Sequence, residues 1–206
     1  MEQGTAEWHA ARLGKVTASM IANVMMKPTA AGYQNYKAQL VCERLTGNPT
    51  ETFTSAAMQH GTETEPQARA FYEMQTGLDV VEVGFVDHPF VDMSGASPDG
   101  LVGEAGLVEI KCPQQPKHIK ALMGGNPDRN YMLQMHWQMM CTERGHCDFV
   151  SFNPTFPAEM QMDVVRVDLN ATLAQEILEA VERFVKDVDQ TAVTLADKYG
   201  IKELSK

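Results

Sequence analysis

Near Gly77 the spacing of apolar side chains changes from about 3.6 residues to about 2. A chain carrying both periods must lay helices on a sheet, because neither kind of element can bury its apolar face alone. Before the change, TASMIANVMM (17–26) has helical spacing behind a Thr or Ser that can cap the first amides, and Lys27-Pro28 ends it. Tyr33 to Thr46 reads as a second helix, with Leu40, Val41 and Leu45 on its apolar side and Gly47 as its left-handed cap. A third is expected from Ser55 to Thr76, stopped by Gly77, with Pro66 tolerated only in a first turn or at a kink.

After the change, 79–88 and 90–97 read as strands separated by His88-Pro89, Asp99-Gly100 as a turn, and Leu107 to Lys111 as a short strand, in a mostly antiparallel meander. Helical spacing returns at Tyr131 to Thr142. Two strands, Asp148 to Phe152 and Gln161 to Leu169, then precede a long amphipathic helix over about 171–200, with Leu173, Ile177, Val181, Phe184 and Val188 as its buried stripe. The expected fold is therefore one α/β (α+β) domain over 1–206, a central mixed sheet flanked by helices, with its core at about 55–170 and no internal repeat.

At 206 residues, 44% hydrophobic and 21% charged, the chain suits one generous domain and excludes the disordered and low-complexity classes. No apolar run approaches the roughly 18 residues of a membrane helix, and Met1-Glu2-Gln3-Gly4 does not open a signal peptide, so a cytoplasmic protein is expected. Cys42, Cys112, Cys141 and Cys147 lack CxxC spacing and sit in apolar segments, as reduced packing thiols do. The net charge of −10 argues against a broad positive field for nucleic acid. Acid is nevertheless concentrated in 51–109, and both flanking segments, 1–50 and 110–147, are mildly basic. That arrangement suits a carboxylate-lined metal site beside a phosphate-binding surface, though charge alone favours a solvated acidic face.

The chemistry concentrates in SGASPDGLVGEAGLVEIKCP, residues 94–113. Asp99 closes one strand, and Glu109 and Lys111 lie two apart on the next, so strand alternation points both to one face. An apolar strand does not bury Glu beside Lys without compensation, and a divalent cation supplies it. Oxygens of Asp99 and Glu109 with the main-chain carbonyl of Ile110 suit Mg²⁺, which keeps several waters and acidifies one of them. Lys111 could orient or deprotonate that water, or neutralise charge developing on phosphorus. The plain alternative is a surface Glu109–Lys111 ion pair.

The spacing P-D-x(9)-E-x-K resembles the PD-(D/E)xK nuclease motif, and most of the chain is similar to the bacteriophage lambda exonuclease family of alkaline nucleases. Four blocks carry the resemblance: WHxxRLGKVTAS (8–19), GTETE (61–65), GASPDG (95–100) and LVEIKCP (107–113). It implies a restriction-endonuclease-like core and a Mg²⁺-dependent, processive 5′-to-3′ double-stranded DNA exonuclease that releases 5′-mononucleotides and leaves 3′ tails. It further implies two Mg²⁺ ions with Mn²⁺ as substitute, a ring-shaped homotrimer, a preference for 5′-phosphorylated ends, a bacterial or prophage setting, and a single-strand annealing partner. Residue by residue, Glu65 matches a helical Glu that joins the metal site, with Glu63 as the alternative, and Gln134 matches a glutamine that reaches it; Gln138 lies one turn on. His136 stands where the family often has a second glutamine. Arg12, Thr17 or Ser19, Ser97 and Lys117 match a 5′-phosphate pocket, Lys117 replacing an arginine fork with a point charge. Met58 falls where the family has an apolar wedge that unpairs the duplex end, and a buried methionine is the competing reading. An endonuclease on the same core and a non-catalytic end-binding protein are the rival functions; a carboxylate-pair glycosidase leaves Lys111 and Arg12 unexplained.

Overall fold

The computed structural model describes residues 1–50 and 56–201, the side chains at 57 and 58 excepted. Five strands form the larger sheet, in the order β2 (Val80–Val81), β5 (Gly100–Val102), β6 (Gly106–Lys111), β7 (His146–Phe152), β8 (Met162–Asp168). All its pairings are antiparallel except β6 with β7, whose parallel register sets Glu109 against Phe149 and Lys111 against Ser151. That one parallel pair needs a crossover, and α5 (Gln115–Leu122) and α6 (Arg129–Thr142) supply it. A second, three-stranded sheet has the order β1 (Val16–Thr17), β4 (Ser94–Ala96), β3 (Val86–Asp87).

The expected single central sheet is thus two, and the long strands expected over 79–88 and 90–97 shrink to three short ones. The causes are local. Gln3 donates its side-chain amide to the carbonyls of Val83 and Pro98, and a Cβ on Gly84 would stand 2.6 Å from the Met1 carbonyl oxygen, so residues 82–85 are held by the N-terminal segment rather than by a strand. His88 Nδ1 accepts the amides of both Phe90 and Val91, which turns the chain there, and Met93 takes a positive φ of 57° before β4 begins.

The helices follow the pattern more closely. A 3₁₀ turn (Ala18–Met20) runs into α2 (Ile21–Val24), and α3 (Ala31–Thr46) ends on Gly47 at φ 68°. α4 (Ala56–Thr76) carries Pro66 in its interior, not in its first turn, and stops at Gly77 with φ 71°. α7 (Ala171–Tyr199) buries Ile177, Val181, Phe184 and Val188, with Leu173 partly buried. Two helices lie outside the sequence expectation, α5 and α1 (Ala6–Arg12), the latter capped by Thr5 Oγ1, which accepts from the Trp8 amide.

The core has three parts. The largest joins α2, α3, α6 and α7 around Leu40, Trp137 and Phe184, where the Tyr36 ring stacks on Phe184 at 5.3 Å. On one face of β6, Val108 and Ile110 pack with Ala68 and Tyr72 of α4; on the other, Leu107 packs with Met135 and Met139 of α6. Met132, Met135 and Met139 of α6 are packing residues. The four cysteines are free thiols, but Cys42 is exposed rather than packed. Among the described residues no helix is long and apolar enough to cross a membrane.

Candidate active site

β6 alternates across the sheet, so Leu107, Glu109 and Lys111 turn toward α6 while Val108 and Ile110 turn toward α4. Asp99 precedes β5, and the β5–β6 register, Gly100 opposite Val108, brings its carboxylate to the catalytic strand: Oδ2 accepts the Ile110 amide at 2.7 Å. Gly100 is required there, since a Cβ would stand 2.1 Å from a Val80 methyl. Glu109 is wholly excluded from solvent, with Lys111 Nζ 2.5 Å from its Oε1. α6 lays two amides over the same carboxylate. Gln134 donates to Oε1 at 2.6 Å and Gln138 to Oε2 at 2.7 Å. Lys111 Nζ also stands 5.4 Å from the centre of the Tyr131 ring.

Glu65 approaches from α4, half-buried, held by Arg69 at 2.8 Å one turn on, and Arg69 also pairs with Glu82. Glu63 faces away, exposed, and bonds Gln59. Of the two candidate glutamates, the structure therefore brings Glu65 to the site. Burial, then the charges of Glu109 and Glu65, push the Asp99 carboxyl well above the usual carboxylate range. Burial likewise raises Glu65 against the opposing pull of Arg69 and Lys111. Burial pulls the Lys111 ammonium down, yet Glu109 and Asp99 more than compensate and hold it above the usual lysine range. The thiol of Cys112 is pushed up to about 12 by burial and by Glu65 and Asp99.

Glu109 raises both Asp99 and Glu65, a negative excess that a divalent cation would relieve, and the carboxylate oxygens are hard ligands of the kind Mg²⁺ takes. Among the described residues no three His, Cys, Asp or Glu side chains close into a ligand set. An ion taken up here would be held by Asp99 and Glu109 with the Ile110 carbonyl, would have to keep several waters, and would have Glu65 nearby. A cavity of about 690 Å³ opens here, lined by His60, Glu65, Ile110, Lys111, Lys117 and Tyr131.

The expected phosphate-binding residues fall into separate groups. The Arg12 guanidinium lies 3.9 Å over the Trp8 ring, and the Trp8 indole N–H donates to Ser97 Oγ at 2.9 Å, so Arg12 and Ser97 are joined through an indole. Trp8 itself was not singled out from sequence; its i, i+4 spacing to Arg12 on α1 was the available signal. α3 fixes the turn that follows Arg12, because Gly14 donates to Glu43 at 2.9 Å and accepts from Arg44 at 2.8 Å. Lys117, exposed on α5, stands instead on the cavity beside Lys111. Thr17 is buried, its amide donating to the Tyr36 hydroxyl, and its side chain caps nothing; Ser19 is exposed. Among the described residues neither hydroxyl bonds Arg12 or Ser97. The Met58 side chain lies outside the described residues. His136 is away from the carboxylates: its Nδ1 donates to the Met132 carbonyl at 2.7 Å and its Nε2 accepts the Asn170 amide at 3.2 Å, tying α6 to the start of α7.

Proteins of known structure share this fold. Two crystal structures of the alkaline exonuclease LHK-Exo, one from Laribacter hongkongensis by its description and one of a complex with dAMP, are 48% identical to this chain, covering 95% of it and 98% of theirs, with TM-scores of 0.90 and 0.89. A phage related exonuclease from Haemophilus somnus 129PT shares the fold at 17% identity and a TM-score of 0.67, covering 88% of this chain and 96% of its own. The uncharacterized protein R354 of Acanthamoeba polyphaga mimivirus is 28% identical over 167 residues, 72% of this chain but only 29% of that protein, so the chain spans less than a third of that relative. A model of the YqaJ-like viral recombinase domain matches residues 7–145, a span that holds Arg12, Glu65, Asp99, Glu109, Lys111, Gln134 and Gln138, and the chain belongs to that family.

Proposed function

We propose that the protein is a Mg²⁺-dependent, processive 5′-to-3′ double-stranded DNA exonuclease that releases 5′-mononucleotides and leaves 3′ single-stranded tails for strand annealing. It is an enzyme, a phosphodiester hydrolase, and the observation that carries the reading is the buried Glu109. It sits beside Asp99 and Lys111 under two amide donors, next to a cavity of about 690 Å³ that Lys111 and Glu65 line. A structural ion pair needs none of that. The resemblance to exonucleases at 48% identity supports DNA ends as the substrate.

Asp99, Glu109 and the Ile110 carbonyl would hold Mg²⁺, with Mn²⁺ as substitute, and Glu65 would serve a second ion. Bound there, the ion acidifies a water and neutralises charge on phosphate. Lys111 stands as an ammonium donor beside Glu109, whose charge together with that of Asp99 favours the protonated form in the metal-free chain. Its part is to orient the attacking water and neutralise the phosphorus-bound oxygens. Gln134 fixes Glu109 from one side. Arg12, stacked on Trp8 beside Ser97, offers a planar fork for a 5′-phosphate, and Lys117 adds a point charge at the cavity mouth. Thr17 and Ser19 lie downstream on the same segment and serve only if DNA brings them in, and Met58 is the duplex wedge.

The chain works as one domain and as a ring-shaped homotrimer in the cytoplasm of a bacterial host or from a prophage, with a single-strand annealing protein as partner. The deciding experiment is digestion of linear and closed circular duplex with Mg²⁺ or chelator, with one strand end labelled at a time. Loss of only the linear substrate, from 5′ ends and only with metal, is expected. Cutting of the circle would replace the reading with an endonuclease, and no cleavage of either with an end-binding protein.

A further inference from the structure

We propose that Gln138 is a positioning residue for this hydrolysis: with Gln134 it forms a two-amide clamp that fixes the plane of the Glu109 carboxylate. The inference rests on the nuclease reading above and deepens it. The terminal torsion of a glutamate is broad, so a single donor leaves the carboxylate free to turn. Here amides one helical turn apart on α6 take different oxygens, Gln134 on Oε1 and Gln138 on Oε2, and rotation about the terminal bond would break both. Lys111 shares Oε1 with Gln134. Gln138 is the hydrogen-bond donor to Oε2 among the described residues. Lys111 is also partly exposed and must reach substrate, whereas both Gln138 and Glu109 are wholly buried. The amide clamp therefore persists when the lysine moves.

Gln138 also carries the mark of a residue held for its partner. Its Oε1 is buried with no hydrogen-bond partner among the described residues, a penalty that a methionine of the same length would avoid. Turning the amide over does not help, since it would set Oε1 against a carboxylate oxygen. The orientation is thus dictated by Glu109, and the orphaned oxygen is its consequence. Neighbouring Met135 and Met139 show that this stretch of α6 accepts methionine.

The test compares wild type with Gln138→Met and Gln138→His. It measures kcat and KM on 5′-labelled linear duplex, Mn²⁺ affinity of the DNA-free protein by electron paramagnetic resonance, and Tm in chelator. For Gln138→Met, kcat should fall about 10- to 100-fold with KM within about twofold, and Mn²⁺ binding should weaken about 10-fold, as for other groups that orient metal ligands. Tm should stay within about 4 °C of wild type. Gln138→His, whose Nε2–H can take the place of the amide, should recover part of both kcat and Mn²⁺ affinity. Wild-type kcat and Mn²⁺ affinity in Gln138→Met would overturn the proposal, as would a drop in Tm with Mn²⁺ affinity unchanged, the signature of a packing residue. If Gln138→Met does not fold, Gln138→Asn, whose amide stops one carbon short, gives the same readouts. A wild type that binds Mn²⁺ but digests no DNA would sink the exonuclease reading and leave the metal arm to decide on Gln138.

Discussion

Asp99 sits among negative charges before any cation arrives, and the fold bears the consequence. Its folded-state pKa is raised, so native chain holds the proton more tightly than unfolded chain. Stability of the metal-free protein therefore falls as pH rises from the ordinary carboxylate value, about 3.9, through the raised one, and stays low above it. Asp99→Asn keeps an oxygen for the Ile110 amide and removes the charge. Hydrolysis should vanish while Tm in chelator at neutral pH rises, by roughly 2–4 °C for each kcal/mol relieved. Mg²⁺ should raise the melting point of wild type and not of the variant. A variant that melts below wild type in chelator would show that the Asp99 charge stabilises the fold, contrary to this reading. Lys111→Ala should lower kcat by about 10²-fold or more with little change in KM, the pattern of a group that acts in the transition state. At this scale the sequence was most readable where two residues share one strand: the period of 2 puts Glu109 and Lys111 on one face without further knowledge. Gln138 and Trp8 were not readable in the same way. Their roles depend on α6 crossing β6 and on α1 meeting residue 97, which are tertiary facts. Glu65 and Glu63 are separated only by which face α4 turns to the sheet.

That face of α4 is set by a stripe, Glu65, Ala68 and Tyr72, and its far end is pinned to the sheet. Tyr72 donates to Asp148 Oδ2 at 2.7 Å inside the core, while Arg166 grips the same carboxylate from β8 and holds it below its usual range despite burial. Tyr72→Phe should cost about 1–3 kcal/mol, because Asp148 is left short of a donor. It should also reduce activity beyond what lost stability explains, as Glu65 loses its registration; chemical denaturation read beside kcat separates the two. Gly14→Ala makes the complementary test at the other end of the site. A Cβ there would meet Arg44 Cγ at 2.8 Å, at a φ of 68°, and would disturb the turn on which Arg12 depends. More than about 1 kcal/mol of stability should be lost. Preference for phosphorylated over hydroxyl 5′ ends should weaken with it, as it should in Arg12→Ala. Long periodic elements such as α3, α6 and α7 were legible from spacing alone. α1 was not, since it buries no residue and has no apolar stripe to find, and α5 buries only His118. The run 79–97 was read as more strand than it is, because its β-rich composition is overruled by the His88 ring that caps the turn.

For the molecule as a whole, the difficulty is charge. A chain of net charge −10 has little long-range attraction for DNA, and the cationic side chains described near the site, among them Arg12, Lys111 and Lys117, offer only local contacts, Arg69 being engaged by Glu65 and Glu82. A single copy should then leave its substrate after each cut, and should do so faster as salt screens those few contacts. A closed ring replaces attraction with topology, because release requires the ring to run off an end or to open. The two cases separate in one experiment. Mass by light scattering should be three times that of the chain, and digestion of a long linear duplex, once started, should continue after an excess of unlabelled DNA ends is added. The length of DNA removed per binding event should change little between low and moderate salt, whereas the rate of initiating on new ends should fall steeply, since on the proposed reading capture of an end is the step that would depend on Arg12 and Lys117. A single-chain mass with digestion halted by competitor would mean that the acidic protein holds DNA through its active-site contacts alone. The salt dependence would then move from initiation to every cut.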